Sequence, residues 1–322
     1  MSFSSQTKEE VARLKESKEC CSLAELAALI RMDGSLQIAA YQHYTLNVIT
    51  ESAPVARRIF RLAKQVLNRP VTVVVRRKMR LKKNNSYVVK IACLTEDLQK
   101  LGLLSPEGGL QQGIAPALIK RRCDRKAYIR GAFLTGGSIS NPENSYHLEI
   151  ITKDETLAHD LAKLMNGFDL KARVSTRKNV WVVYLKDSDM LSDFLALIQA
   201  HQAVLQFENI RVMKEVRNTV NRQVNCETAN LSKIVDAAVR QQENIRLIER
   251  TIGVKALPDN LREIACLRMA YPEATLKELG QKLAPSVGKS GVSHRLRRID
   301  EIAEKISQEK GKQPTKNLGV KP

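Results

Sequence analysis

The chain has 322 residues, 43% of them apolar, and sets 53 Lys and Arg against 34 Asp and Glu, a formal net charge of +19. The length allows two or three domains, and the apolar share predicts a packed core rather than disorder. No apolar run approaches the roughly 20 residues that span a bilayer, and the polar stretch from Met1 to Glu19 has no signal-peptide core, so a cytoplasmic protein is expected. So large a cation excess makes nucleic acid the expected partner, because phosphates neutralised by Lys and Arg release counterions; a merely basic soluble protein and an acidic membrane surface are the alternatives.

The six cysteines show no Cys-x-x-Cys spacing. Adjacent Cys20 and Cys21 suit neither a bridge between them nor a usual zinc site, and the five histidines stand at no ligand spacing. Reduced thiols, no metal, no cofactor and no small-molecule substrate are expected.

Residues 4–18 are polar with a helical tint. Ser22, with Glu25 three positions on, matches a capping box. It starts a predicted helix that runs to about Met32 and stops at Gly34. Residues 44–50 alternate as a strand, with 36–42 as its hairpin partner. A helix follows from Pro54, a good first-turn residue, to Leu67. The β-branched run Val71 to Val75 reads as a strand and passes into Arg76, Arg77, Lys78, Met79, Arg80, Leu81, Lys82 and Lys83. Asn84 to Ser86 is a turn, 87–92 the returning strand and 95–104 a closing helix.

A Pro- and Gly-bearing boundary at 105–116 follows, and then the order repeats. The second copy has helix 126–135, strands near 137–141 and 146–152, helix 154–166, strands near 170–176 and 180–185, and helix 188–200. Leu26 to Ser35 parallels Ile129 to Ser138, His43 to Thr50 parallels Tyr146 to Thr152, and Val55 to Leu62 parallels Leu157 to Leu164. A unit of about 100 residues is duplicated. The basic run after Val75 recurs in the second copy as Lys171, Arg173, Arg177 and Lys178, a surface suited to phosphates more than to base reading.

From 208 to 250 there is no strand signal, Pro or Gly, and apolar residues recur at helical spacing; a helical connector broken near Asn221–Thr228 is predicted. Residues 257–306 form a small helical unit. Thr275 with Glu278 is a second capping box; a short helix with Lys277 follows, then a turn, then a helix from Lys289. Val292, Leu296, Ile299 and Ala303 form one stripe of it. The other face presents Ser290, Ser293, His294, Arg297 and Arg298, flanked by Arg295. This is a helix-turn-helix pattern whose second helix would read a major groove, with a basic protein-binding bundle as the bland alternative. The expected division is 1–105 for the first repeat with its N-terminal extension, 106–205 for the linker and second repeat, 206–256 for the connector, 257–308 for the helix-turn-helix and 309–322 for a disordered basic tail.

Leu26-Ala27-Ala28-Leu29-Ile30-Arg31-Met32-Asp33-Gly34 resembles the signature helix of the LAGLIDADG homing endonucleases, and the element order of both copies fits that family over roughly residues 20–200. The resemblance implies an α+β fold of two αββαββα units. Their signature helices would pair on a pseudo-twofold axis, with Ala27, Ala28 and Gly131 permitting close approach, and their two four-stranded sheets would make a saddle for duplex DNA. In those enzymes the acid before the last glycine of each helix binds divalent metal, one per half. Asp33 stands there in the first copy and Gly136 in the second. A glycine cannot hold a metal, so the scaffold is expected without the nuclease and with no catalytic residue. Asp33 would then be an ordinary helix-terminal acid; an active Mg²⁺-dependent nuclease is the enzyme alternative.

Val224-Asn225-Cys226-Glu227-Thr228-Ala229-Asn230-Leu231 and Lys289-Ser290-Gly291-Val292-Ser293-His294-Arg295-Leu296-Arg297 are similar to the WhiA family, in which a degenerate LAGLIDADG domain is joined to a C-terminal helix-turn-helix. This resemblance covers about residues 20–306. It implies a nucleoid-associated, non-catalytic DNA-binding regulator of Gram-positive bacteria, tied to sporulation or to cell division and chromosome segregation. Its expected partners are double-stranded DNA and proteins bound on the LAGLIDADG-like domain. A nucleoid structural protein without strong sequence preference is the third reading.

Overall fold

In the computed structural model, which describes residues 1–15, 18–38, 44–77 and 85–310, the chain opens with α1 (Phe3–Ala12). The first repeat follows as α2 (Glu19–Asp33), β1 (Gly34–Ile38), β2 (Tyr44–Thr50), α3 (Ala53–Leu67), β3 (Val71–Arg77), β4 (Asn85–Cys93) and α4 (Thr95–Lys100). The second is α5 (Arg122–Gly136), β5 (Gly137–Ile139), β6 (Leu148–Thr152), α6 (Glu155–Asn166), β7 (Arg173–Arg177), β8 (Val180–Leu185) and α7 (Ser188–Leu197). Each repeat builds an antiparallel four-stranded sheet, in the orders β1-β2-β4-β3 and β5-β6-β8-β7. The expected α+β fold of two αββαββα units is therefore present. Residues 78–84, with the basic Lys78, Arg80, Lys82 and Lys83, lie outside the described residues, as do residues 311–322.

The two signature helices are the centre of the first compact unit, Met1–Glu215. Nearly every residue from Ala24 to Ile30 on α2 and from Ala127 to Leu134 on α5 is buried, the mark of helices apolar all round. They run in the same direction and touch at their backbones. A Cβ on Gly131 would lie 2.5 Å from the Glu25 carbonyl oxygen and 2.9 Å from Ala28 Cβ. Glycine is required there by space.

Ser22 does not cap this helix. α2 begins three residues earlier, Ser22 is fully buried, and its Oγ has no hydrogen-bond partner. Glu25 has a larger task than a capping box. It is 0% exposed and accepts from Arg58 Nε and Nη2 at 2.7 and 2.8 Å and from Arg130 Nε at 2.8 Å. Ser-x-x-Glu also places two side chains on one helical face, and here that face turns inward. One carboxylate thus joins a guanidinium of each repeat, and its removal would leave two buried cations, a loss of about 3–5 kcal/mol for such pairs.

Helix α8 (His201–Thr251) is continuous, so the break expected near Asn221–Thr228 does not occur. No Pro or Gly interrupts it, and the cost of its Asn and Thr residues is only about 0.5–0.7 kcal/mol each. Gln223 donates to Glu227 at 3.0 Å across one turn. The boundary expected at 205 falls inside this helix. Its first turn is capped by α1, where the Glu10 carboxylate accepts from Gln202 N–H and Ala203 N–H at 2.7 and 3.1 Å.

The second compact unit, Val216–Pro322, adds α9 (Asp259–Ala270), α10 (Leu276–Gln281) and α11 (Lys289–Lys310) to the end of α8. Ile245, Ile248, Leu257, Leu261, Ile264, Leu279, Leu283, Val292, Leu296, Ile299 and Ala303 form its core. Among the described residues no helix is long and apolar enough to cross a membrane.

Candidate nucleic-acid interface

The second unit fixes one helix and leaves its far side open. Val292, Leu296, Ile299 and Ala303 are each at most 1% exposed, which sets the rotation of α11. Lys289, Ser290, Ser293, His294, Arg297 and Arg298 are consequently exposed, and Arg295 is half-buried. The predicted face is present as one surface at the N-terminal half of the helix, where backbone N–H groups also favour phosphates. One carboxylate meets both of its central cations: Glu301 lies 3.3 Å from Arg297 Nε and 3.2 Å from Arg298 Nη1.

The supporting turn is built from α9 and α10. Thr275 and Glu278 form the expected capping box, with Glu278 N–H on Thr275 Oγ1 at 3.3 Å and Thr275 N–H on Glu278 Oε2 at 2.7 Å. These hydrogen bonds hold the Glu278 carboxyl below its ordinary range. The Thr275 hydroxyl is therefore committed to the cap, and Lys277 beside it is exposed. Arg268, which the sequence reading did not single out, is buried and donates to the Ala274 carbonyl at 2.7 Å. Gly280 lies against the chain entering α11: a Cβ there would meet the Val287 carbonyl oxygen at 2.0 Å.

In the first unit the strand alternation sorts the second set of cations. Val174 packs on the core, so Arg173, Ser175 and Arg177 of β7 face away from it. Lys178 and Asn179 take positive φ, the left-handed pair of a two-residue hairpin turn. Lys171, Arg173, Arg177 and Lys178 are all exposed. On the equivalent strand β3, Arg76 shares the outward face with Thr72 and Val74, whereas Arg77 has the parity of buried Val71 and is exposed at the strand end.

The C-terminal ends of α2 and α5 hold Asp33 and Gly136, the two positions at which the LAGLIDADG resemblance implies metal-binding acids. Asp33 is exposed there. A Cβ on Gly136 would lie 2.4 Å from Met32 Cε and 2.6 Å from the Ile151 carbonyl oxygen, so the second repeat has no space for a carboxylate. Lys8 of α1 enters the same end. Its Nζ donates to the Thr135 carbonyl at 3.2 Å, and burial lowers its ammonium to about 8 against the upward pull of Asp33. Neither its spacing nor its neighbours in sequence signal this role; its partner is 127 residues away.

Three family descriptions match the chain: the WhiA N-terminal LAGLIDADG-like domain over residues 19–104, the WhiA LAGLIDADG-like domain over 125–217 and the WhiA C-terminal HTH domain over 220–303. A probable cell division protein WhiA of Desulfitobacterium hafniense (strain DSM 10664 / DCB-2) is 63% identical over 310 residues, covering 96% of this chain and 98% of the relative. That of Heliobacterium modesticaldum is 54% identical over 314 residues, covering 97% and 98%. The crystal structure of full-length WhiA from Thermatoga maritima superposes with a TM-score of 0.60 at 28% identity, covering 95% of this chain and 99% of that one.

Proposed function

Because the chain belongs to the WhiA family, we propose that it is a sequence-specific, non-catalytic DNA-binding protein that acts in cell division. The observation that carries the reading is the α11 surface. Its apolar stripe is locked in a core while Ser290, Ser293, His294, Arg297 and Arg298 stand exposed together. Hydroxyl, imidazole and guanidinium groups at a helix N-terminal half supply the donors and acceptors that base edges and phosphates need. Lys289, Arg295 and Lys277 add phosphate contacts, and Thr275 contributes through the cap that positions α10.

The relatives are named probable cell division proteins, and we carry that process to this chain, with regulation of transcription as the means and the nucleoid as the place. The LAGLIDADG-like repeats act as a second DNA surface through Arg173, Arg177 and their neighbours, or as a protein-binding scaffold. The family's reach into chromosome segregation and sporulation, and its restriction to Gram-positive hosts, belong to the same proposal. Absence of nuclease activity is supported by the crowded Gly136 and by the Lys8 ammonium, which stands near Asp33 and on the Thr135 carbonyl.

One incubation tests this. Purified protein is mixed with supercoiled host DNA and Mg²⁺ and read for both retardation and strand breaks. Retarded, intact DNA is expected, with affinity for a footprinted site exceeding that for random duplex at the same salt. Changing Arg297 and Arg298 to Ala should remove about 2–4 kcal/mol of that preference. Breaks that vanish with Asp33→Asn would restore the enzyme. Equal affinity for random DNA would leave a generic nucleoid protein.

A further inference from the structure

The N-terminal ends of α2 and α5 gather side chains that the DNA surfaces do not use. Cys20 and Cys21 are the second and third residues of α2, and Cys123 and Asp124 are the second and third of α5. The duplication therefore sets two ligating groups from each repeat at equivalent places, and the parallel packing of the helices brings them together. One ligand atom from each, three Sγ and a carboxylate oxygen, all lie within 4.8 Å of one another. Asp124 Oδ1 is 3.4 Å from Cys123 Sγ and 3.9 Å from Cys21 Sγ. Its Oδ2 accepts from Arg121 N–H at 3.1 Å, which fixes the carboxylate. Cys21 and Asp124 are buried, whereas Cys20 and Cys123 are half-buried, which leaves a path from solvent.

We propose that Cys20, Cys21, Cys123 and Asp124 form a tetrahedral site for one thiophilic divalent cation, of which Zn²⁺ is the type, clamping the two repeats at the N-terminal ends of their paired helices. The dimensions fit. With metal–sulfur bonds of about 2.3 Å and metal–oxygen bonds of about 2.0–2.2 Å, a tetrahedron has sulfur–oxygen edges of roughly 3.5–3.7 Å and sulfur–sulfur edges of roughly 3.8 Å. The Asp124–Cys123 and Asp124–Cys21 edges already bracket the first figure, and none of the others exceeds 4.8 Å. Three thiolates select a soft ion over Mg²⁺ or Ca²⁺. An iron–sulfur cluster needs its ligands further apart, because they are shared among two or four irons.

The surroundings suit the charge. Three thiolates and a carboxylate around a divalent ion leave a net charge of −2. Arg121 Nη1 stands 3.8 Å from Cys20 Sγ, and the first turns of two helices point their positive ends at the same place. Binding displaces the thiol protons to solvent. The ligands come from segments about 100 residues apart, so the ion would close a long loop and stabilise the pairing of the repeats.

The test uses the full chain, reduced, stripped by chelator and titrated first with CoCl₂ and then with ZnCl₂. The expected end point is one Co²⁺ per chain. It brings thiolate-to-cobalt charge-transfer absorption and tetrahedral d–d bands, bleached by one equivalent of Zn²⁺, and the Tm rises on Zn²⁺ addition. With three thiolates reduced to two, the charge-transfer intensity per bound ion should fall by about one third in Cys20→Ser. It should not change in Cys266→Ser, whose thiol lies on α9. Reduced wild-type protein that gives no thiolate–cobalt band overturns the proposal without recourse to any variant. A band unaltered by Cys20→Ser and Cys123→Ser also overturns it. Thiols that pair on air oxidation, in a protein whose reduced form takes up no cobalt, would make the cluster a redox pair and end the metal reading.

Discussion

Lys8 carries its ammonium to the C-terminal end of α5, where it donates to the Thr135 carbonyl near Asp33, and burial sets its affinity for protons. Its pKa falls from 10.5 to about 8. Below pH 8 the native and unfolded chains both hold the proton, and the native state bears the full cost of the buried charge. Between pH 8 and 10.5 the unfolded state binds more protons than the native, so this group makes stability rise with pH over that window. Lys8→Met should therefore stabilise the protein at pH 7 by about 1–3 kcal/mol, allowing for the lost bond to Thr135, and the gain should shrink towards pH 10.5. Urea midpoints of both proteins at pH 7 and pH 10 measure it; a difference that does not change with pH would place Lys8 in solvent. At this scale the sequence was legible where chemistry is local. Asp33 and Gly136 were each placed at a helix end by the local pattern, and α2 and α5 end there. Lys8 and Glu25 were not, because each takes its meaning from partners far along the chain: Thr135 for Lys8, and Arg58 and Arg130 for Glu25.

Elements were easier to read than residues, because period and punctuation are properties of a window. The β-branched run at Val71, Pro54 at a helix start and Gly34 at a helix end each marked an element close to its observed bound. The error at α8 came from treating polar composition as a break, when only Pro, Gly or a competing cap ends a helix decisively. The cysteine cluster was invisible for the opposite reason: its ligands lie on two elements, and no window holds both. In the second unit Gly280 decides how α10 meets the turn into α11. It was readable as a helix residue but not as a contact. An added methyl must displace the Val287 carbonyl, whose residue also donates its N–H to the Gly280 carbonyl at 3.0 Å. Gly280→Ala should cost about 1–3 kcal/mol and weaken DNA binding beyond that loss, because α11 shifts with the turn. Denaturant melts and binding isotherms on the same preparation check it; a variant of native stability and affinity would show that the turn yields freely.

The whole chain presents cations in both compact units, and the charge of +19 does not say which of them meet DNA. Salt dependence separates them. Each phosphate contact contributes about 0.9 to the slope of log affinity against log salt. If β7 lies on the duplex, Arg173→Ala with Arg177→Ala should lower that slope by about 2 and leave the preference for a cognate site unchanged. Arg297→Ala with Arg298→Ala should instead reduce the preference. Because the two pairs sit on separately packed cores, their losses should add in the combined variant. Two surfaces tethered on one chain bind one duplex more tightly than either alone, since the second contact forms at high effective concentration. An unchanged slope in the β7 variant, and in Arg76→Ala with Arg77→Ala on β3, would take the repeats off the DNA. It would leave their exposed basic strands to a protein partner of acidic surface, with the helix-turn-helix as the sole DNA contact.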